Sequence, residues 1–317
     1  MTMTVGLDIG GTKISGGLVT AAGQIARRAR HETPAQDPDA IAGTVAGLVA
    51  ELVDGYDVQA VGVACAGFID ATGSNVLFAP NLAWRDEPLK RRLESALDLP
   101  VVIENDANAA AWGEFRFGAA RDADDMVLVT VGTGIGGGVV TKGRMLRGAY
   151  GIAAELGHMR VVPDGLRCGC GNRGCWEQYA SGNALVREAR ETIRSLTPLA
   201  AALSAACKGK PEKLKGADVT RVAQTGDPAA IELIADLGTW LGEGVASVVA
   251  ILDPELIVVG GGVAAAGDLL LEPARAAFRR QLTGRGHRPE AQFVLAELGN
   301  DAGMIGAAAI AAEGYPA

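Results

Sequence analysis

The sequence predicts an α/β protein of two domains, and three observations predict it. Short apolar runs of strand length alternate with longer stretches of helical spacing. Two glycine-turned hairpins, one beginning at Asp8 and one at Gly132, each open a similar order of elements, the pattern of an internal duplication. A chain of 317 residues with 49% hydrophobic side chains is long enough for more than one core. The expected division is a small α/β domain of residues 1–108 plus 301–317 and a large α/β domain of 109–300.

At the N-terminus Val5–Asp8 is short and apolar, Gly10-Gly11-Thr12 turns the chain, Ile14–Val19 is apolar, Ala22-Gly23 turns again, and Gln24–Thr33 alternates. A three-stranded meander is the simplest reading. Ile41, Val45, Leu48, Val49 and Leu52 recur at helical spacing behind Asp37-Pro38, an N-cap followed by a first-turn proline. Buried strands are expected at Val58–Ala64 and Pro100–Ile103, with helices over Glu87–Leu97 and Asp106–Phe115. From Met126 to Leu146 the order restarts as strand, glycine turn, strand, turn and short strand. Helices follow over Gly182–Leu252, the strand Leu256–Val259 ends in Gly260-Gly261-Gly262, and Asp301–Ala312 reads as a small-residue helix. Leu203–Gly216 reads as an exposed loop.

The formal net charge of −8 repels phosphate backbones, so no nucleic-acid partner is expected. No run of eighteen apolar residues occurs, so no membrane span is expected. MTMTVGLDIGGTK has none of the basic, apolar and small-residue regions of a secretory signal, and the expected location is cytoplasmic. Five cysteines are too few for a disulfide framework in a chain of this length, yet three of them lie within eight residues.

The first glycine loop, Asp8-Ile9-Gly10-Gly11-Thr12-Lys13, lets backbone N–H groups approach phosphate oxygens, while Thr12 and Lys13 add a donor and a charge. Asp8 at the strand end suits Mg²⁺ held through water. An ordinary hairpin turn explains the same glycines. The second loop, Gly132-Thr133-Gly134-Ile135-Gly136-Gly137-Gly138, contains G-x-G-x-x-G, but VVTKGR after it reads as a strand, so the dinucleotide fingerprint lacks its helix. The protein-kinase H-R-D and D-F-G and the Walker A pattern are absent. Gly260-Gly261-Gly262 reads as a flat platform for a nucleoside or as a plain strand-to-helix turn. About twenty residues on stand Arg279, Arg280 and Gln281, with no acid for a ribose.

Glu104-Asn105-Asp106 places three polar residues where an apolar strand stops, the position that faces ligands in α/β sheets. Asp106 suits either a helix N-cap or a base that orients a sugar hydroxyl during phosphoryl transfer, and the two roles are compatible. His158, Cys168, Cys170 and Cys175 form H-x₉-C-x-C-x₄-C, three thiolates and one imidazole for a closed structural zinc site. A disulfide is disfavoured by the odd count and by the strain of a C-x-C bridge. Glu155, three residues before His158, and Glu177, two after Cys175, are either solvated surface charges or carboxylates for vicinal sugar hydroxyls. Cys65 reads as a buried thiol, and His31, Cys207 and His287 have no partner in sequence.

Together DIGGTK (Asp8–Lys13), ENDANAAAWGE (Glu104–Glu114), GTGIGGG (Gly132–Gly138), ELGH (Glu155–His158), CGCGNRGCWEQYASG (Cys168–Gly182), VVGGGVA and GNDAGMIGAA resemble the ROK family of repressors, sugar kinases and uncharacterised frames. The likeness spans essentially the whole chain and is greatest to the family's bacterial ATP-dependent glucokinases. It implies an actin/hexokinase-like duplicated fold whose two domains close over a ligand cleft. It implies ATP with Mg²⁺ as donor, the 6-hydroxyl of glucose as acceptor, and Asp106 as general base. It implies sugar contacts from Asn81, Asn105, Asp106, Glu155, His158 and Glu177, with backbone help at Gly67, and a His158 that serves zinc with one ring nitrogen and sugar with the other. The loops at Asp8, Gly10, Gly11, Thr12 and Lys13 and at Gly132, Thr133 and Gly134 then cradle the phosphates, and Gly261 and Gly262 lie near the nucleoside. A homo-oligomer, dimer or tetramer, is expected. Fructose, mannose, N-acetylglucosamine and N-acetylmannosamine are alternative acceptors, and polyphosphate an alternative donor. A sugar sensor is the rival from another class; family repressors carry a helix-turn-helix module ahead of the sugar domain, for which a motif starting at Asp8 leaves no room.

Overall fold

The computed structural model describes residues 3–314, so Met1, Thr2 and the last three residues of the expected 301–317 segment lie outside the described residues. Two five-stranded sheets share one strand order. The first runs β3-β2-β1-β4-β8 and is built from β1 (Met3–Ile9), β2 (Lys13–Thr20), β3 (Ile25–Glu32), β4 (Val58–Cys65) and β8 (Val101–Asn105). The second runs β11-β10-β9-β12-β13 and is built from β9 (Met126–Val131), β10 (Ile135–Thr141), β11 (Arg144–Met145), β12 (Leu256–Gly260) and β13 (Gln292–Leu295). Each sheet is thus a meander extended on its inner side by two later strands, and the duplication read from the glycine hairpins is present in the topology. A small third sheet, β5 (Phe68–Ile69), β6 (Val76–Phe78) and β7 (Arg85–Glu87), was not foreseen.

The helices are α1 (Pro38–Val53), α2 (Leu89–Leu97), α3 (Asp106–Phe117), α4 (Glu177–Ala180), α5 (Gly182–Arg194), α6 (Ala201–Ala206), α7 (Gly216–Gln224), α8 (Pro228–Leu252), α9 (Asp268–Gln281) and α10 (Ala302–Glu313). Asp37 caps α1 as expected, its side chain accepting from the N–H groups of Asp39 and Ala40 ahead of Pro38. The chain divides into two compact units, Met1–Val127 with Gly138–Ala154 and Ala296–Ala317, and Leu128–Gly137 with Glu155–Leu295. This division differs from the expected boundary at residue 108, because α3 packs along α10 and stays with the first unit.

In the first unit, β1 and β4 are buried on both faces, which is why they read as nearly continuous apolar runs. Ile41, Val45, Leu48, Val49 and Leu52 of α1 join Val5, Leu7, Ile9, Val61 and Val63 in one core. On the other face α10 lies directly on the strand backbones: a Cβ at Gly6 would stand 1.9 Å from the Met304 carbonyl oxygen, and one at Gly62 1.9 Å from that of Ala307. In the second unit, α8 is 25 residues long and apolar enough to cross a membrane by length, but it is packed on α9, with Gly242 directly beneath the Ala274 carbonyl.

Two expectations are corrected. Helix α2 starts at Leu89 rather than Glu87, since Glu87 precedes Pro88 and is held extended in β7. Leu203–Gly216 is not an exposed loop: it includes the end of α6 and a 3₁₀ turn, and Leu203, Cys207 and Leu214 are buried. Its many lysines hid those apolar anchors, and Arg190 ties the segment down by donating to the carbonyls of Glu212 and Leu214.

Candidate active site

Within the first unit, β1, β4 and β8 are parallel and end in step: Ile9 pairs with Cys65 and Cys65 with Asn105, while Asp8 pairs with Ala64 and Ala64 with Glu104. Their carboxyl ends therefore form one edge, where the next residue after β8 is Asp106. Asn105, extended at φ −62° and ψ 144°, caps α3: its Oδ1 accepts from the N–H groups of Ala107 (2.9 Å) and Asn108 (3.1 Å). The reading of Asp106 as N-cap is thereby corrected; the cap is one residue earlier, because that residue carries the extended backbone a cap needs. Asp106 is instead the first helical residue, where the helix dipole favours a carboxylate, and its Oδ1 accepts from the Ala107 N–H at 2.9 Å. Burial raises its pKa. The Asp8 carboxyl is pushed up to about 6, first by burial and then by the charge of Asp106, with Lys13 pulling the other way. Cys65, fully buried at the same edge, has its thiol pushed up by burial and by Asp106, Glu104 and Asp8.

The remaining first-unit residues gather at this edge in pairs. Asn105 Nδ2 donates to the Gly67 carbonyl at 3.2 Å. The turn from Gly10 to Lys13 is closed by Gly10 N–H donating to the Lys13 carbonyl at 3.0 Å, and Thr33 braces it through the carbonyls of Gly10 and Thr12. Thr12 and Lys13 are exposed. A Cβ on Gly11 would stand 2.9 Å from that of Asn81, so the phosphate-type loop abuts the residue expected at the sugar.

In the second unit the Gly132–Gly134 turn joins β9 to β10, so the strand after the glycines is confirmed and a dinucleotide helix is absent there. The N–H groups of Gly182 and Asn183, at the start of α5, donate to the carbonyls of Gly132 (2.8 Å) and Thr133 (3.3 Å). Gly261 crosses the end of β9 at φ +84°, where a Cβ would meet the Val131 backbone at 2.5 Å. Gly132 and Gly262 face open space, with nothing within 4 Å of an added Cβ.

His158, Cys168, Cys170 and Cys175 converge, with one potential ligand atom from each all within 4.8 Å of one another. Cys170 and Cys175 Sγ are 3.6 Å apart, too far for a disulfide, and Cys168 Sγ is 3.7 Å from His158 Nδ1. A tetrahedron of Zn–S bonds has edges of about 3.8 Å, so the donor set and its spacing fit zinc. Left-handed Gly171 and Gly174 make the turns, and Trp176, fully buried, anchors the module by donating from Nε1 to the Trp240 carbonyl at 2.8 Å. His158 turns Nδ1 toward the sulfurs and Nε2 toward Glu155 Oε2, 4.0 Å away. Glu177 Oε1 lies 3.0 Å from Cys168 Sγ.

In the first unit, the sequence left the roles of Glu104 and Glu114 unread. Glu104 is buried and paired with Arg147. Its signal was an acid inside an apolar strand; Arg147 lies 43 positions on and gave none. Glu114 is fully buried and accepts the N–H groups of Ala119, Glu297 and Leu298, which makes the last residue of ENDANAAAWGE a structural clamp.

The ROK family model matches residues 4–314. The chain is 45% identical to the glucokinase of Streptomyces coelicolor over 316 residues, 100% of this chain and 99% of that protein. A crystal structure of a ROK family glucokinase from Streptomyces griseus, in complex with glucose and AMPPNP, is 47% identical, superposes with a TM-score of 0.90, and is matched over 98% of this chain and 100% of that one. The N-acetylmannosamine kinase of Escherichia fergusonii is 37% identical over 97% of this chain and 98% of that protein.

Proposed function

This chain belongs to the ROK family, and from that membership we propose that it is a glucokinase, transferring the γ-phosphoryl group of ATP to the 6-hydroxyl of glucose. The observation that carries the reading is the likeness, over 98% of the chain, to a glucokinase that binds glucose and an ATP analogue, together with a buried carboxyl at the strand edge that also carries the first glycine loop.

In this reading Asp106 is the general base. Its raised pKa suits a group that accepts the hydroxyl proton as the phosphoryl group departs, while catalysis otherwise rests on positioning and electrostatics. Asn105 holds the helix start that aims it and keeps one amide N–H for the sugar. Gly67, Asn81, Glu155, His158 and Glu177 bind hydroxyls. Exposed Thr12 and Lys13, with the N–H groups of Gly11, Thr133 and Gly134, hold the donor phosphates, while Gly10 and Gly132 close the two turns with their own N–H groups, and Asp8 holds Mg²⁺ through water. Gly261 and Gly262 leave flat backbone for the nucleoside. His158, Cys168, Cys170 and Cys175 would hold a structural zinc, which with all four positions filled by protein supplies no Lewis acid; it fixes His158 and its neighbours Glu155 and Glu177. Homo-oligomeric assembly and a cytoplasmic location, with neither nucleic acid nor membrane as partner, belong to the same proposal.

A kinase for N-acetylmannosamine is the second reading, favoured by the 37% identical relative. An ADP-release assay over a panel of hexoses and N-acetylhexosamines decides. Turnover on glucose at least tenfold above the other sugars in kcat/KM supports the proposal, a maximum on N-acetylmannosamine replaces it, and no turnover on any sugar points to a sensor.

A further inference from the structure

Glu104 is 2% exposed and its carboxylate is fully engaged. Oε1 accepts the backbone N–H of Asn105 at 2.9 Å and Nδ2 of Asn108 at 3.1 Å, and Oε2 accepts Nε of Arg147 at 2.7 Å. Asp106 stands between the two residues that Oε1 holds. Arg147, 13% exposed at its side chain, comes from the segment after β11. That segment is closed by the Ala153 N–H donating to the Arg147 carbonyl at 3.0 Å. It is pressed on the turn at Ile69–Ala71, where Gly151 at φ +84° has the Ile69 carbonyl 2.5 Å from any added Cβ.

A buried ion pair is a poor device for stability, since apolar residues of the same volume often serve as well or better. Three carboxyls, Asp8, Glu104 and Asp106, and the Cys65 thiol share this strand edge. Arg147 neutralises Glu104, Lys13 acts on Asp8, and Asp301 at the start of α10 is already bound by Arg28. We propose that Glu104 and Arg147 form a positioning pair for Asp106: Glu104 fixes the peptide before it and the first helical turn after it, and Arg147 locks Glu104 in that pose and counters its charge. The pair touches no substrate.

This inference rests on the reading of Asp106 as base, and the experiment separates the two. In the full-length protein, Glu104→Gln, Arg147→Gln, Arg147→Lys and the double variant Glu104→Gln/Arg147→Gln are compared for kcat, for KM of glucose and of ATP, and for Tm. Arg147→Gln is expected to lower kcat by about tenfold or more, the scale of a misplaced catalytic group, with KM for ATP within about threefold. Arg147→Lys recovers most of that loss, and the double variant loses less than the product of the single losses. A lower Tm with unchanged kcat per folded molecule overturns the pair, because a merely structural bond acts only on folding. Should Arg147→Gln not fold, Glu104→Gln keeps size and the Oε1 acceptor and gives the same readout. An inactive Asp106→Asn beside fully active pair variants overturns this inference alone. An active Asp106→Asn overturns the base reading.

Discussion

The Glu177 carboxylate lies against Gly134: a Cβ there would stand 2.5 Å from Oε2, so a side chain fits only if that carboxylate shifts. Glu177 Oε1 in turn lies 3.0 Å from Cys168 Sγ, so a single side chain touches both the cysteine cluster and the second glycine loop.

Gly134→Ala is therefore expected to push Glu177 aside without emptying the cluster. Steady-state kinetics should show KM for ATP or glucose raised by about tenfold, the scale of a displaced positioning group, while metal analysis still finds zinc. Unchanged kinetics would show that the carboxylate is free to move.

The purified protein is expected to carry about one Zn²⁺ per chain, and Cys170→Ser to lose most of it together with several degrees of Tm. Full zinc content and unaltered melting in Cys170→Ser would remove the tetrahedral assignment.

Asp8 holds its proton more tightly in the folded chain, with its pKa raised from 3.8 to about 6. Folding therefore gains from the protonated carboxyl below about pH 4 and loses that gain as pH rises through about 6. Asp106, raised by burial, acts with the same sign. In metal-free, nucleotide-free protein, Asp8→Asn should be near neutral at pH 4 and stabilising by about 2 kcal/mol at pH 7.5, somewhat less than the full shift converts to because the residue is partly exposed. Urea unfolding at the two pH values measures it; an equal effect at both would falsify the assignment.

Glu114→Gln sets an amide NH₂ against backbone N–H donors that a carboxylate now satisfies at 2.8–3.0 Å. A loss of about 3–5 kcal/mol in unfolding free energy is expected, with kcat of the folded protein unchanged. Loss of kcat at full stability would move Glu114 from the scaffold to the site.

The strands, the meanders and the cysteine cluster were legible because each leaves a local mark: alternation, glycine turns, ligand spacing. Nine of the ten strands of the two large sheets followed from them; β13 (Gln292–Leu295) did not. What the sequence hid was non-local. The Asn105 cap and the Asp106 role compete for adjacent positions, and only the backbone dihedral separates them. Arg147 meets Glu104 across 43 residues, a pairing that no window reveals. The lysine-rich 203–216 segment looked solvated because composition averages over Leu203 and Leu214, the two side chains that bury it.

The seating of α10 on Gly6 and Gly62 bears on how the molecule is made. On the ribosome, β1 and β4 emerge early but stay uncovered on one face until Met304 and Ala307 have been translated. At roughly 5–20 residues per second that wait is on the order of tens of seconds. The continuous stretch Glu155–Leu295 meets no such delay. The second unit can therefore mature cotranslationally, while the Asp8–Asp106 edge completes its packing only once α10 has been made.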